Sequence, residues 1–508
     1  MSTKTLIFTL NDQSISLHDV PPTTTLLNYL RQNQMTGTKE GCAEGDCGAC
    51  TVILRNENGY QAINACLLLL PMLHGKTVYT VEGIASIPKP KKIEDLHPVQ
   101  QALVKHSGTQ CGYCTSGVVM SLFEACYRND LKEDWQLDDQ LCGNLCRCTG
   151  YDGIAKALRE IAGTQPNDRF SNQLQAPLWE DHLELELDYQ VGKQHFIRPS
   201  SFEALFKAWQ KEKNALLIAG GTDLNLMITK RFQLPEVLIS LEGIPELNQI
   251  HIQENRLIVG AHTSLSDLES LAHTHQIYAL ARMLRFFAAR QIKNKGTIGG
   301  NLCTASPIGD LPPVLLALNA QVILASAQVN AMGEVIGVQQ RKIPLEDFFL
   351  AYRKTALQAF EILQAIEIPL QLTIVDAPLS RFFSKSMKVS KRQELDISTV
   401  SMGMQIELSR NQTTDDFLVK SCRIFFGGMA AIPKRASHVE NALIGKLWQI
   451  ETIQEAMIQI DQDFAPINDH RASAWYRSQV AKNLLLGFFE EDMQIQTLAD
   501  RPTATIMV

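Results

Sequence analysis

Hydrophobic and polar positions change period several times along this chain, and each change marks a different kind of element. Alternation over 4–10 and 14–17, around the turn-forming pair Asn11-Asp12, predicts an opening β-hairpin. Pro21-Pro22-Thr23-Thr24 supplies a helix start for Leu26 to Leu30. The β-branched run Thr51-Val52-Ile53-Leu54 and the run Val78 to Val81 read as further strands. From Pro98 to Ile161 the period becomes helical, with Val118, Val119, Leu122, Phe123 and Cys126 on one face and Ile154, Leu158 and Ile161 on another. Periodicity fades over 164–190, which reads as a linker. Ala215 to Ala219 is a buried-type strand ending in Gly220-Gly221-Thr222-Asp223, and Arg256 to Gly260 is another. The 265–290 stretch reads as helical, Gly296 to Asp310 as a glycine-rich loop, and mixed α+β patterning follows to about 370 and again over 380–490. No repeat of 20–50 residues is present.

This pattern divides the 508 residues into an α+β multidomain chain. The units are a small sheet domain over 1–85, a helical domain over 86–163, the linker at 164–190, and α+β domains over 191–372 and 380–490. Composition alters little: 45% hydrophobic and 20% charged is ordinary for globular cores. A formal charge of −7 gives no electrostatic footprint for nucleic acid or an anionic membrane. The start lacks a signal-peptide core and a twin arginine, and Ala65 to Leu73 is too short to span a bilayer, so a cytoplasmic chain is expected.

The cysteines carry the chemistry. Ten of the twelve precede residue 149. Cys42, Cys47 and Cys50 follow C-x4-C-x2-C with Cys66 further on, the plant-type spacing of a 2Fe–2S cluster. Gly41, Gly45, Gly48 and Ala49 suit a loop wrapped round a cluster, whereas zinc sites usually match one C-x2–4-C pair with another. Cys111-Gly112-Tyr113-Cys114 with Cys146-Arg147-Cys148 is a second set whose spacing alone also admits zinc. Cys142 sits close enough to Cys146 to mimic a ligand pair. Cys126, Cys303 and Cys422 read as packing residues.

No G-x-G-x-x-G follows a candidate strand, so a Rossmann nucleotide site is unsupported. Gly220-Gly221 instead lets successive N–H groups turn toward an anion as a nest, and Gly299-Gly300 in the second loop offers the same device. Together they predict two loops clamping the ends of a pyrophosphate.

Six stretches then carry a resemblance. Glu44 to Cys50, Gln110 to Gly117, and Asn144 to Tyr151 closely resemble the iron–sulfur domains of molybdenum hydroxylases. Ala219 to Leu224, Thr297 to Asn301, and Ala305-Ser306-Pro307 leading to Asp310-Leu311-Pro312-Pro313 resemble that family's flavin module. Both modules in one chain, in this order, look like the xanthine dehydrogenase branch. The resemblance implies a β-grasp plant-type ferredoxin domain, a helical 2Fe–2S domain, a non-Rossmann FAD-binding domain and a C-terminal α+β domain. It implies one cluster on Cys42, Cys47, Cys50 and Cys66, and another on Cys111, Cys114, Cys146 and Cys148. For FAD it implies Leu217, Ile218, Ala219, Gly220, Gly221, Thr222, Asp223 and Leu224, then Gly296, Thr297, Gly300, Asn301, Cys303 and Thr304. Gly309, Asp310, Ile362, Leu363 and Lys388 complete that pocket, Phe287 beside Ala288 flanks the isoalloxazine, and Glu44 with Gly45 reaches toward the flavin.

By the same resemblance the chain contains no catalytic base. It passes electrons from a partner's molybdenum cofactor, oxidising hypoxanthine and xanthine to urate, through the clusters and FAD to NAD+. The chain ends without a molybdopterin domain. The expected partner is therefore a molybdopterin-binding large subunit, in an α2β2 heterotetramer. Aldehyde or N-heterocycle oxidation is the alternative. Gln393, Leu395 and Gly309 depart from the family pattern on the acceptor side of the flavin, so NAD+ is the weakest implication.

Overall fold

The computed structural model describes residues 5–57, 59–87, 89–175, 186–370, 380–410 and 416–499. Lys4 of the expected hairpin and residues 176–185 of the expected linker lie outside them. The first sheet is built from β1 (Leu6–Leu10), β2 (Gln13–Leu17), β3 (Thr51–Asn56), β4 (Gly59–Asn64) and β5 (Thr77–Tyr79), in the order β2-β1-β5-β3-β4. β1 runs parallel to β5 and the other pairs are antiparallel, a β-grasp arrangement. Alternation puts Leu6, Phe8 and Leu10 inward, against Leu26, Leu27 and Leu30 of α1 (Leu26–Gln32). Thr25 caps that helix by accepting from the Asn28 amide at 3.2 Å.

The helical unit comprises α2 (Pro98–Lys105), α3 (Thr115–Tyr127), α4 (Asp134–Leu141) and α5 (Asp152–Ile161). Twelve of the thirteen residues of α3 are buried, because it packs on the first sheet as well as on its neighbouring helices. The stretch read as a linker from 164 is partly structured. It carries α6 (Arg169–Gln175), whose Phe170 is buried edge-on among Tyr79, Phe123 and Tyr60. One aromatic in a polar segment left no periodicity to read.

Two sheets follow. β6 (Leu187–Val191), β7 (Gln194–Arg198), β8 (Leu216–Ile218) and β9 (Val237–Ser240) form the order β6-β7-β9-β8, parallel between β7, β9 and β8. Between these strands lie α7 (Phe202–Lys211) and the short α8 (Leu226–Thr229). β10 (Ile250–Gln253), β11 (Arg256–Gly260), β12 (Gln321–Val329), β13 (Val335–Pro344) and β16 (Glu361–Pro369) form an antiparallel sheet, with β14 (Phe349–Ala351) and β15 (Lys354–Thr355) a separate pair. The helical 265–290 stretch is two helices, α9 (Leu265–Thr274) and α10 (Tyr278–Arg285), followed by α11 (Arg290–Lys293). The expected glycine-rich loop over 296–310 is corrected: α12 (Ile298–Cys303) occupies its first half, and α13 (Leu311–Ala317) starts at its end. The last part is a meander, β17 (Ser380–Val389), β18 (Val400–Arg410), β19 (Phe417–Gly427) and β20 (Lys434–Arg435). It is covered by α14 (Ser437–Leu443), α15 (Ile450–Ile458), α16 (Ile460–Asp463) and α17 (Ala474–Ala499). Among the described residues no helix is long and apolar enough to cross a membrane.

Candidate redox centres and nucleotide loop

Tight turns bring the first cysteine set together. Ala43, Gly45 and Gly48 take φ of 55°, 79° and 67°. A Cβ on Gly45 would lie 2.6 Å from the Leu67 side chain, so the loop needs glycine there for space as well as for φ. The loop turns amides onto sulfur: the N–H groups of Glu44 and Asp46 donate to Cys42 Sγ at 3.4 and 3.3 Å. Cys47 donates to Cys42, which with those amides holds the Cys42 thiol down at about 5 and pushes the Cys47 thiol up. Cys66 hydrogen-bonds Cys50, and that bond together with burial raises the Cys66 thiol. Four soft thiols with amides aimed at them are a donor set that fits an iron–sulfur cluster.

The second set differs in setting. Cys111 and Cys148 are exposed and hydrogen-bond each other, while Cys114 and Cys146 are half-buried and form the other pair. Cys114 directly precedes α3, and burial pushes its thiol up to about 12. Cys142 ends α4 with its thiol toward the Asp139 carbonyl and belongs to neither pair. The two cysteine loops touch. The Leu145 amide donates to the Cys47 carbonyl at 3.0 Å, and Asn144 Nδ2 donates to the Gly48 carbonyl at 3.2 Å. Gln291 of α11 binds the same Asn144, along with Ser121 and Thr51, so one flavin-side residue locks both iron–sulfur units.

The two glycine loops prove unlike. After β8, none of the N–H groups of Gly220, Gly221, Thr222, Asp223 and Leu224 has a partner among the described residues, while the carbonyls of Gly221, Asp223 and Leu224 accept from the start of α8. Gly221 has φ of 76°, and a Cβ on Gly220 would sit 1.9 Å from the Lys295 carbonyl. This is an open nest at the carboxyl ends of parallel strands, the usual position of a ligand crevice. The second nest is a correction. The amides of Gly296, Gly299 and Gly300 are taken by Ile292 O, Ala261 O and Thr297 Oγ1 at 2.7, 2.8 and 3.1 Å. Thr297 is the N-cap of α12, and Gly299 is small because Ala261 lies against it. The Gly-Gly pair is the same in sequence; only the three-dimensional neighbours tell nest from cap.

The second loop still contributes. Asn301 Oδ1 is buried without a partner among the described residues, and Thr222 Oγ1 lies 3.3 Å from where a Gly296 Cβ would be. An open nest and an orphaned acceptor fit a nucleotide such as FAD. Of the other implied pocket residues, Lys388 pairs with Asp310 at 2.8 Å and donates to the Phe286 carbonyl beside Phe287. Ile362 and Leu363 are buried in β16, whose next residue accepts from Ala261. Gly309 directly precedes Asp310, and Ala288 takes φ of 49° after Phe287. Cys303 ends α12 against the core, with its thiol pushed up to about 12 by burial. Glu44 pairs with Lys230 at 3.3 Å. Leu217 and Ile218 belong to β8 and Ala219 follows them; Thr304 turns its hydroxyl back to the Gly300 carbonyl.

Sequence reading missed what stands behind the nest. Glu242, just after β9, is ringed by Lys76, Lys295 at 2.9 Å, and Arg198. Burial raises its carboxyl, but the charges of Lys295 and Lys76 outweigh this and hold it well below the usual range. Burial lowers the nearby His262 to about 4 against the pull of Glu242. These residues span positions 76 to 295, so no spacing could announce them.

Paired thiol sets joined to a nucleotide crevice define an electron-transfer iron–sulfur flavoprotein. The family models agree in chain order. A 2Fe-2S iron-sulfur cluster binding domain matches 8–70 and a [2Fe-2S] binding domain matches 80–159. An FAD binding domain in molybdopterin dehydrogenase matches 189–371, and a CO dehydrogenase flavoprotein C-terminal domain matches 385–492. These four domains, in this order, fit the 2Fe–2S and FAD part of a molybdenum hydroxylase. It is 32% identical over 96% of its length to a xanthine dehydrogenase of Emericella nidulans, and 33% over 86% to xanthine dehydrogenase 2 of Arabidopsis thaliana. It spans only 38% and 36% of those relatives. Among solved structures, a carbon monoxide dehydrogenase of Hydrogenophaga pseudoflava is 26% identical with a TM-score of 0.49, covering 57% of this chain and 93% of that one.

Proposed function

We propose that this chain is the electron-transfer part of a xanthine dehydrogenase, carrying electrons from a molybdenum centre on a partner subunit to NAD+. The Cys111/Cys114/Cys146/Cys148 site receives them, the Cys42/Cys47/Cys50/Cys66 site relays them, and the Gly220–Leu224 crevice holds the FAD that discharges them. The single observation behind this order is the contact between the cysteine loops, Leu145 N–H to Cys47 C=O at 3.0 Å, with exposed cysteines in the second set, Cys111 and Cys148, and none in the first. FAD accepts electrons singly and releases a hydride, and a 2Fe–2S cluster exchanges one electron at a time.

This chain's residues do the holding. Amides of Glu44 and Asp46 stabilise thiolate charge at Cys42, the open nest faces the pyrophosphate, and the Lys388–Asp310 pair fixes the wall beside Phe287. Exposed Tyr113, Leu145 and Tyr151 surround the outer cysteines and give a partner an apolar landing surface. Purine specificity rests on the xanthine dehydrogenases that match nearly the whole chain. Co-expression with the molybdopterin-binding subunit is expected to give an α2β2 complex that reduces NAD+ with xanthine and hypoxanthine. Turnover of aldehydes or quinoline-type heterocycles, with none of purines, would reassign the substrate and leave the electron path standing.

A further inference from the structure

Glu44 is spent on Lys230, which leaves open how the first cysteine site is tied to the nucleotide loop. Asn225 supplies the link. It is fully buried at the start of α8, directly after the open nest. Its backbone N–H donates to the Gly221 carbonyl at 3.0 Å, closing the nest turn. Its side-chain Nδ2 crosses to the ferredoxin domain and donates to the Leu67 carbonyl at 2.8 Å. Leu67 follows Cys66, so only one residue separates a cluster ligand from that hydrogen bond. The packing is tight on both sides: a Cβ on Gly221 would lie 2.5 Å from Asn225 Nδ2, and one on Gly45 would lie 2.6 Å from the Leu67 side chain. Asn225 Oδ1 remains buried without a partner among the described residues. A fully buried amide that satisfies only its donor is a costly way merely to fill space, since an apolar side chain of equal volume would serve better.

We propose that Asn225 is a positioning residue that clamps the nucleotide loop to the carbonyl of Leu67, the residue after Cys66, and that this bonded connection is the route by which an electron leaves the first cluster for the flavin. The inference rests on the reading that a cluster occupies the first cysteine site and FAD the nest. The step moves one electron: the cluster loses it, the flavin gains it, and no covalent bond changes at Asn225. A path through covalent and hydrogen bonds couples the two centres better than a gap of the same length.

The test uses the full chain with its clusters and flavin bound, comparing wild type with Asn225→Leu and Asn225→Ala. Leucine keeps the volume and removes the donor; alanine also removes the bulk, and serves if leucine overpacks. Three readouts are taken: cluster paramagnetic resonance signals, FAD affinity, and the rate of electron redistribution between flavin and cluster after pulse-radiolytic reduction at saturating FAD. Both variants are expected to keep both cluster signals, to bind FAD about tenfold more weakly through loss of a buried hydrogen bond, and to redistribute electrons more slowly even when fully flavinylated. An unchanged redistribution rate with weakened FAD would reduce Asn225 to a structural clamp and overturn the route. Unchanged affinity and rate would overturn the whole proposal. A wild-type chain lacking the first cluster signal or FAD would instead overturn the underlying reading.

Discussion

The two glycine pairs, Gly220-Gly221 and Gly299-Gly300, look interchangeable as sequence and differ in what surrounds them. The first follows a parallel strand and leaves five consecutive amides without partners among the described residues. The second is folded into a helix start, with Thr297 capping Gly300 and Ala261 pressed on Gly299. Glycine in the first supplies open backbone and a positive φ; in the second it supplies only closeness. A glycine pair therefore identifies a phosphate site only when its amides are left over after the protein has bonded itself.

Substitutions should separate the loops sharply. Gly220→Val forces a branched side chain onto the Lys295 carbonyl, and FAD affinity should fall by at least ~100-fold. Equilibrium dialysis and the flavin absorbance band measure it. Both cluster signals should survive, because the cysteines belong to other domains. Retained stoichiometric flavin would show that the first loop is no nest either.

A smaller effect concerns the charges behind the nest. His262 holds its proton only near pH 4, well below the ordinary 6.5, so the unfolded chain binds that proton more tightly. The sign follows: stability is full above pH 6.5 and is lost as pH falls toward 4, by on the order of 1–3 kcal/mol. Thermal melts of wild type and His262→Gln over that range should run together at pH 7 and separate toward pH 4, where the wild type is the less stable because it alone has a proton to take up on unfolding. Parallel curves would remove His262 from the account.

The mildest prediction lies in the second loop. Thr297→Val deletes the cap and should cost about 1 kcal/mol of stability. Gly300→Ala, whose Cβ would meet only the Thr297 hydroxyl at 3.0 Å, should cost less still. FAD should remain bound to both. Loss of flavin from Gly300→Ala would restore a nest to this loop.

Legibility followed locality. The cysteine sets stood out in the sequence because most of their members sit in short loops with glycines beside them. The first nest could be read because strand, glycines and Thr222 are contiguous. The α6 helix was missed because a single residue, Phe170, anchors it. Asn225, Lys76, Glu242, His262 and Gln291 were invisible because their partners lie on distant segments, as in the pairing of Asn225 with Leu67.

Electron paramagnetic resonance of the dithionite-reduced full chain tests the central claim most directly. Two separable signals are expected, about one spin each from about four irons per chain, and Cys148→Ser should abolish one while leaving the other intact. A colourless chain holding zinc, without either signal, would contradict the account.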